Sequence, residues 1–151
     1  MTNSEHYIID NLVQYWESKK RGQLFPSRKD IDPVEIPKAL KHIILLDVHH
    51  NPLDFYCRLV GDHIAENTKD IHGLFVSDIG KIVPDLQHIF HLCQTIVSDK
   101  APVSGNFDFL TSSKVKKNIR YVGLPLSKEK SEQIDMILCA VVFISLDSES
   151  V

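Results

Sequence analysis

Four polar side chains on apolar stretches have the chemistry to hold a ligand. Arg58 sits in Asp54–Gly61 (DFYCRLVG), where a guanidinium can clamp a carboxylate or phosphate through two parallel hydrogen bonds. Tyr56 is two residues away, on the same side of an extended chain. Asn106 and Tyr121, on two later strand-like segments, are further candidates for hydrogen bonds to a ligand. The competing reading pairs Arg58 with an acid of its own chain, Asp47 or Asp62. Structural ion pairs outnumber ligand clamps, so that reading is the leading expectation.

Catalysis and metal chemistry find less support. Asp108 and Asp135 are the carboxylates placed in strand-like segments, where burial can raise a carboxylic acid's pKa for acid–base work. No Ser-His-Asp or Cys-His set is legible, and the six glycines form no phosphate-cradling cluster. Of eight histidines, His88 and His91 have helical spacing, but Cys93 belongs to the apolar stripe and they do not. Zinc spacings are absent, so no metal site is expected. An axial haem ligand could come only from His63 or His72, and Cys57 lacks the polar surroundings of a flavin-adduct cysteine. The cofactor stays unassigned.

These residues must be positioned by elements whose signals are mostly clear. An amphipathic helix is expected over about 4–20, its stripe made by Ile8, Ile9, Leu12, Val13 and Trp16. Thr2 and Glu5 have capping-box spacing, and Gly22 suits the position past the last turn. Ile9, Leu12, Val13 and Trp16 are expected to mediate dimerisation, or else to cover a sheet face. Asp32 followed by Pro33 and Glu35 announces a short helix ending near Lys41. Strands are expected over 43–48 and 55–60, joined as an antiparallel hairpin through His49-His50-Asn51-Pro52. Gly61 ends the second strand, and Asp62 is a candidate cap for a helical turn over 63–68. A turn near 74–79, with Ser77 or Asp78 as candidate caps, precedes a helix from Pro84 to about Asp99. Three strands then follow, over 103–110, 116–126 and 134–146. Gly123 and Pro125 suggest a bulge or edge near the end of the second, and the almost wholly apolar third suits a central strand.

Length and composition set the outer limits. With 151 residues, 43% apolar and 25% charged, the chain is expected to fold as one domain with a real core. A net charge of −3 argues against bulk binding to nucleic acid or an anionic membrane. Lys114, Lys116, Lys117 and Arg120 read instead as a guarded strand edge. No signal peptide is visible, and no apolar run is long enough to span a bilayer. Three unpaired cysteines, Cys57, Cys93 and Cys139, suit free thiols in a reducing compartment, so a cytoplasmic location is expected.

The element order is two helices, two strands, short helices, a longer helix and three strands. Within it, Trp16, Pro26-Ser27-Arg28, Asp30-x-Asp32-Pro33, Phe55-Tyr56-Cys57-Arg58-Leu59-Val60-Gly61 and Leu124-Pro125-Leu126-Ser127 occur in sequence. This ordered set resembles stand-alone PAS domains of alphaproteobacterial type, over about Ser4 to Leu146. The resemblance implies an α+β fold: a five-stranded antiparallel sheet with helices wrapping one face around a small cavity, and the N-terminal helix packed outside. Residues 4–22 would be the helical extension and 43–146 the PAS core. It also implies a non-enzymatic sensory or signalling module that takes a small molecule or a protein partner, with homodimerisation expected. The 54–60 strand would belong to the central pair and line the cavity through Tyr56 and Arg58. A small cyclase, isomerase or thioesterase-like enzyme is the alternative.

Overall fold

A computed structural model describes residues 3–129 and 131–146. Thr2 and the final DSESV segment beyond Leu146 lie outside the described residues. The N-terminal periodicity produces α1, Asn3–Ser18. Past its end Arg21 and Gly22 turn the chain with φ of 49° and 83°, the left-handed conformation expected after a helix stop. Asp32 caps a 3-10 turn, Pro33–Glu35, accepting from the Val34 backbone at 3.0 Å. The helix expected to run from there to Lys41 is replaced by this turn and a second one, Leu40–His42. Pro37 lacks the N–H that an interior turn would need.

The strands are β1 (Ile43–His50), β2 (Leu53–Val60), β3 (Val103–Leu110), β4 (Lys116–Leu126) and β5 (Met136–Ser145), all antiparallel, in the order β2-β1-β5-β4-β3. The apolar β5 is central, as its composition requires. β2 is an edge strand and not one of the central pair. The inter-strand partner expected on its far side is supplied only briefly, by the segment at Gly73–Phe75. There Cys57 N–H donates to Leu74 O and Gly73 N–H to Cys57 O, both at 2.9 Å.

Between β2 and β3 lie short helices α2 (Asp62–Asn67) and α3 (Val76–Ile82), then α4 (Ile89–Asp99), which a 3-10 turn at Pro84–Leu86 precedes. Gly61, not Asp62, occupies the N-cap of α2, and Phe75 that of α3. A methyl group on Gly61 would stand 2.4 Å from the Lys41 carbonyl oxygen, so the chain can pass there only without a side chain.

The two faces of the sheet follow from register. Ile44, Cys139 and Gly123 stand in one row facing α2–α4; Leu45, Leu138 and Leu124 stand in the next, facing α1. The second row is buried and the first is partly buried against the core, so apolar layers form on either side of β5. From α1, Leu12 and Trp16 enter the outer layer, each 1% exposed. Trp16 Nε1 donates to the Pro125 carbonyl at 2.9 Å. Tyr15 on the same helix and Lys19 just past its end reach Glu35, at 2.5 and 3.1 Å. That contact holds the Glu35 carboxyl below its ordinary pKa, through the Tyr15 and Lys19 hydrogen bonds.

Candidate functional site

An apolar cavity of about 110 Å³ lies between the inner sheet face and α2–α4. Its walls include Ile44 and Leu46 of β1, Ile64 of α2, Ile96 of α4, and Val141 and Phe143 of β5. Alternation decides who reaches it: Ile44 and Leu46 of β1, Cys57 of β2, and Cys139, Val141 and Phe143 of β5 are the inward residues of their strands. Gly123 leaves room at the floor, since a Cβ there would meet Ile96 Cδ1 at 2.6 Å. Gly105 does the same beside Tyr121, whose hydroxyl would stand 2.6 Å from such a Cβ.

Tyr121 is the one sequence-chosen ligand residue on this wall. Its ring lies 5.9 Å from that of Phe107, and burial raises its hydroxyl pKa. It is the ring that faces the cavity, whose surface is wholly apolar; the hydroxyl lies over Gly105 on the neighbouring strand.

Arg58, Tyr56 and Asn106 belong to the other face, which corrects the expectation that they line the cavity. β1 and β2 slip register between Leu45 and Leu46: Leu45 faces Leu59 and Leu46 faces Cys57, leaving Arg58 as the extra residue. From that bulge its Nε–H donates to Asp47 Oδ2 at 2.8 Å and Oδ1 at 2.9 Å, with the Arg58 side chain 56% exposed. Asp47 holds the guanidinium pKa above its ordinary value by that hydrogen bond. Tyr56 is paired with Asp47 on the same outer face, its ring 5.4 Å from that of Phe75. Asn106 is exposed opposite Arg120 and accepts from Asn118 at 3.3 Å.

The four α1 residues chosen for dimerisation are also redistributed. Leu12 and Trp16 are spent inside the chain's own core, while Ile9 and Val13 are half-buried against it. The amphipathic face closes the outer sheet, which is the second of the two roles expected of it. Neither candidate carboxylate faces the cavity. Asp108 is exposed and accepts from Asn118 at 3.0 Å. Asp135 accepts from the Lys128 backbone at 2.8 Å and the Gln133 amide at 2.9 Å, which fastens the turn ahead of β5.

The cysteines were legible as buried thiols but not as neighbours. Cys57, Cys93 and Cys139 all line the cavity, because each is an inward residue of its own element. Burial pushes the Cys57 and Cys93 thiols up to about 12 and raises Cys139 as well. They stay protonated and behave as small apolar groups. Missed altogether was the pairing of His42 with His63, whose ring centroids lie 4.7 Å apart. His72, the other histidine considered for haem, sits outside the cavity, where its Nε2 bonds Arg58 O at 2.9 Å.

A five-stranded antiparallel sheet in this order, helix-wrapped on one face around a cavity, defines the class of α+β domain to which the chain belongs. The family model described as PAS domain matches residues 4–141, and the chain belongs to that family. Among solved structures, the chain is similar to a sensory box histidine kinase/response regulator from Burkholderia thailandensis E264. The identity is 9% and the TM-score 0.40, over 79% of this chain and 89% of that one. No curated protein matches the chain. Among the described residues no helix is long and apolar enough to cross a membrane.

Proposed function

We propose that this chain is a sensory or signalling module that binds a small, uncharged, largely apolar molecule in the inner cavity, without catalysing its conversion. The observation that carries the reading is the wall itself: apolar side chains and protonated thiols surround about 110 Å³ and present no polar surface to it. A charged ligand would leave its solvation shell with no partner to replace it. An empty apolar cavity of roughly this size stays dry and accepts small apolar guests. The enzyme alternative is disfavoured because Asp108 and Asp135 both point elsewhere.

The extension at 4–22 and the core at 43–146 act as one unit on this reading, since Trp16 is buried against β4. Output passes through a second copy of the chain or a signalling partner, by way of changes at the inner sheet face. No nucleic acid or membrane surface takes part, consistent with the net charge of −3. Three free thiols suit a cytoplasmic setting.

Mass spectrometry of small molecules released on denaturing the purified protein tests the ligand claim. A retained apolar compound that is lost from a Val141→Phe variant, which fills the cavity, is the expected result. A charged compound, or one retained equally by that variant, would overturn it. Solution mass across a dilution series tests self-association, and a strict monomer at every concentration would remove the homodimer.

A further inference from the structure

Outside the cavity, two imidazoles face each other with nitrogens left over. His42 is 3% exposed at the end of the turn that leads into β1, and His63 lies in the first turn of α2. Their ring centroids are 4.7 Å apart at an interplanar angle of 57°. Among the described residues, His42 Nδ1 and His63 Nε2 are both buried and without a hydrogen-bond partner. Leaving two such groups bare inside a protein is costly, so something is expected to meet them.

The tautomer of His42 narrows what that is. Its ring bonds the Val141 backbone in the sense that favours a proton on the imidazole, so the ring donates to that carbonyl. Because Nδ1 is the unpartnered atom, the donor is Nε2, and neutral His42 carries a bare lone pair on Nδ1. A histidine that gives one N–H to a backbone carbonyl and keeps the other nitrogen free has the arrangement found behind metal-bound imidazoles.

Both rings line a groove with Lys38, Lys41, Gly61 and Asp62, through which an ion and solvent can enter. Among the described residues no three His, Cys, Asp or Glu side chains converge on one point. The protein therefore supplies two nitrogen ligands, and solvent must supply the rest. With nitrogen–metal bonds of roughly 2 Å, imidazoles this close suit a narrow nitrogen–metal–nitrogen angle. Lys38 and Lys41 oppose a cation here and Asp62 favours one, so binding must come from the two imidazole nitrogens against an unfavourable local charge.

We propose that His42 and His63 form a solvent-completed site for a borderline divalent transition-metal ion, of the Zn²⁺, Ni²⁺ or Cu²⁺ class that imidazole nitrogen prefers. The site goes beyond the cavity reading and does not depend on it. It is placed to report to the cavity, because the His63 ring lies 6.0 Å from that of Phe143, a cavity-wall residue.

Titration of the full chain with ZnCl₂ by calorimetry at pH 7.5, in a non-coordinating buffer, tests the site. One equivalent should bind, and histidine ring ¹⁵N spectra should shift at His42 and His63. His63→Gln, at the groove rim, should keep the metal-free melting temperature and weaken binding about tenfold or more. His42→Gln should do the same where it folds. The doubly substituted His88→Gln/His91→Gln chain, which removes the exposed helical pair, should bind as the parent does. Absence of saturable binding would mean that a bridging water alone satisfies the two nitrogens and would overturn the site. Binding unchanged in His63→Gln, or lost with His88 and His91, would overturn it equally.

Discussion

The indole N–H of Trp16 donates to the carbonyl of Pro125 at 2.9 Å, joining positions 109 residues apart in the chain. Pro125 lies in the part of β4 that runs on past its last pairing with β3, at Gly123, which leaves its carbonyl on that side for the indole. The bond fastens α1 to the outer sheet face. Replacing Trp16 with Ala should therefore cost about 3–5 kcal/mol of folding stability, as large buried aromatics do. Trp16→Phe should cost less, about 1–3 kcal/mol, chiefly for leaving the Pro125 carbonyl unpaired. Urea unfolding measures both; a loss under about 1 kcal/mol for Trp16→Ala would show α1 to be only loosely attached.

The Arg58 Nε–H is shared between the two Asp47 carboxylate oxygens, in a pair whose guanidinium side is more than half exposed. Exposed ion pairs are worth little, so Arg58→Ala should change stability by no more than about 1 kcal/mol. It should also leave occupancy of the cavity untouched, because its side chain is on the opposite face. Comparing retained small molecules in the two proteins separates this from a ligand clamp, which would lose its guest.

Two glycines should respond very differently to a methyl group. At Gly61 the new Cβ would meet the Lys41 backbone, carbon and oxygen both, which cannot yield cheaply. Gly61→Ala should cost about 3 kcal/mol or more. At Gly123 it would meet the tip of Ile96, a side chain that can swing into the cavity. Gly123→Ala should fold with a smaller loss and a smaller cavity. Thermal melts rank the two, and the reverse order would contradict the packing described.

Stability should fall at both ends of the pH scale. His42 has its pKa lowered by burial first and then by His63 and Lys41. Its contribution is present above about pH 6.5 and is lost as pH falls from there through the depressed folded value. The Cys57 and Cys93 thiols are raised from 9.0 to about 12 by burial. Their contribution is complete below pH 9 and is lost as pH rises from 9 towards 12, because the unfolded chain ionises first. Urea midpoints across pH 5–10.5 check both limbs. In the folded state near pH 8 the thiols should resist a charged disulfide reagent and react once unfolded.

Much of the fold was legible because hydrophobic period and turn chemistry agree in this chain. β3 and β4 have the bounds expected of them, and the apolar β5 lies at the centre. The residues that carried the family resemblance prove to be fasteners. Ser27 and Ser127 form a parallel bridge, with Arg28 N–H donating to Ser127 O at 2.8 Å and Ser127 N–H to Pro26 O at 3.0 Å. Asp30 accepts from the Ser27 backbone and hydroxyl, both at 3.0 Å. The site was less legible. Alternation says that Tyr56 and Cys57 face opposite sides, but not which side is the cavity; that depends on where β2 sits and on where the helices cross. The bulge at Arg58 comes from a register slip that no residue type announces. The His42–His63 contact joins a turn to a helix across two strands, with no spacing signal to reveal it.

The central claim is that guests enter the inner apolar cavity and not the Tyr56–Arg58 face. Xenon is the most direct probe, since it binds dry apolar cavities and makes no hydrogen bonds. Methyl NMR of the full chain under increasing xenon pressure should give saturable shifts at Ile44, Ile96 and Val141, on the cavity wall, and none at Leu59 beside Arg58. Shifts that fail to saturate at the cavity methyls, or that centre on Leu59, would contradict it.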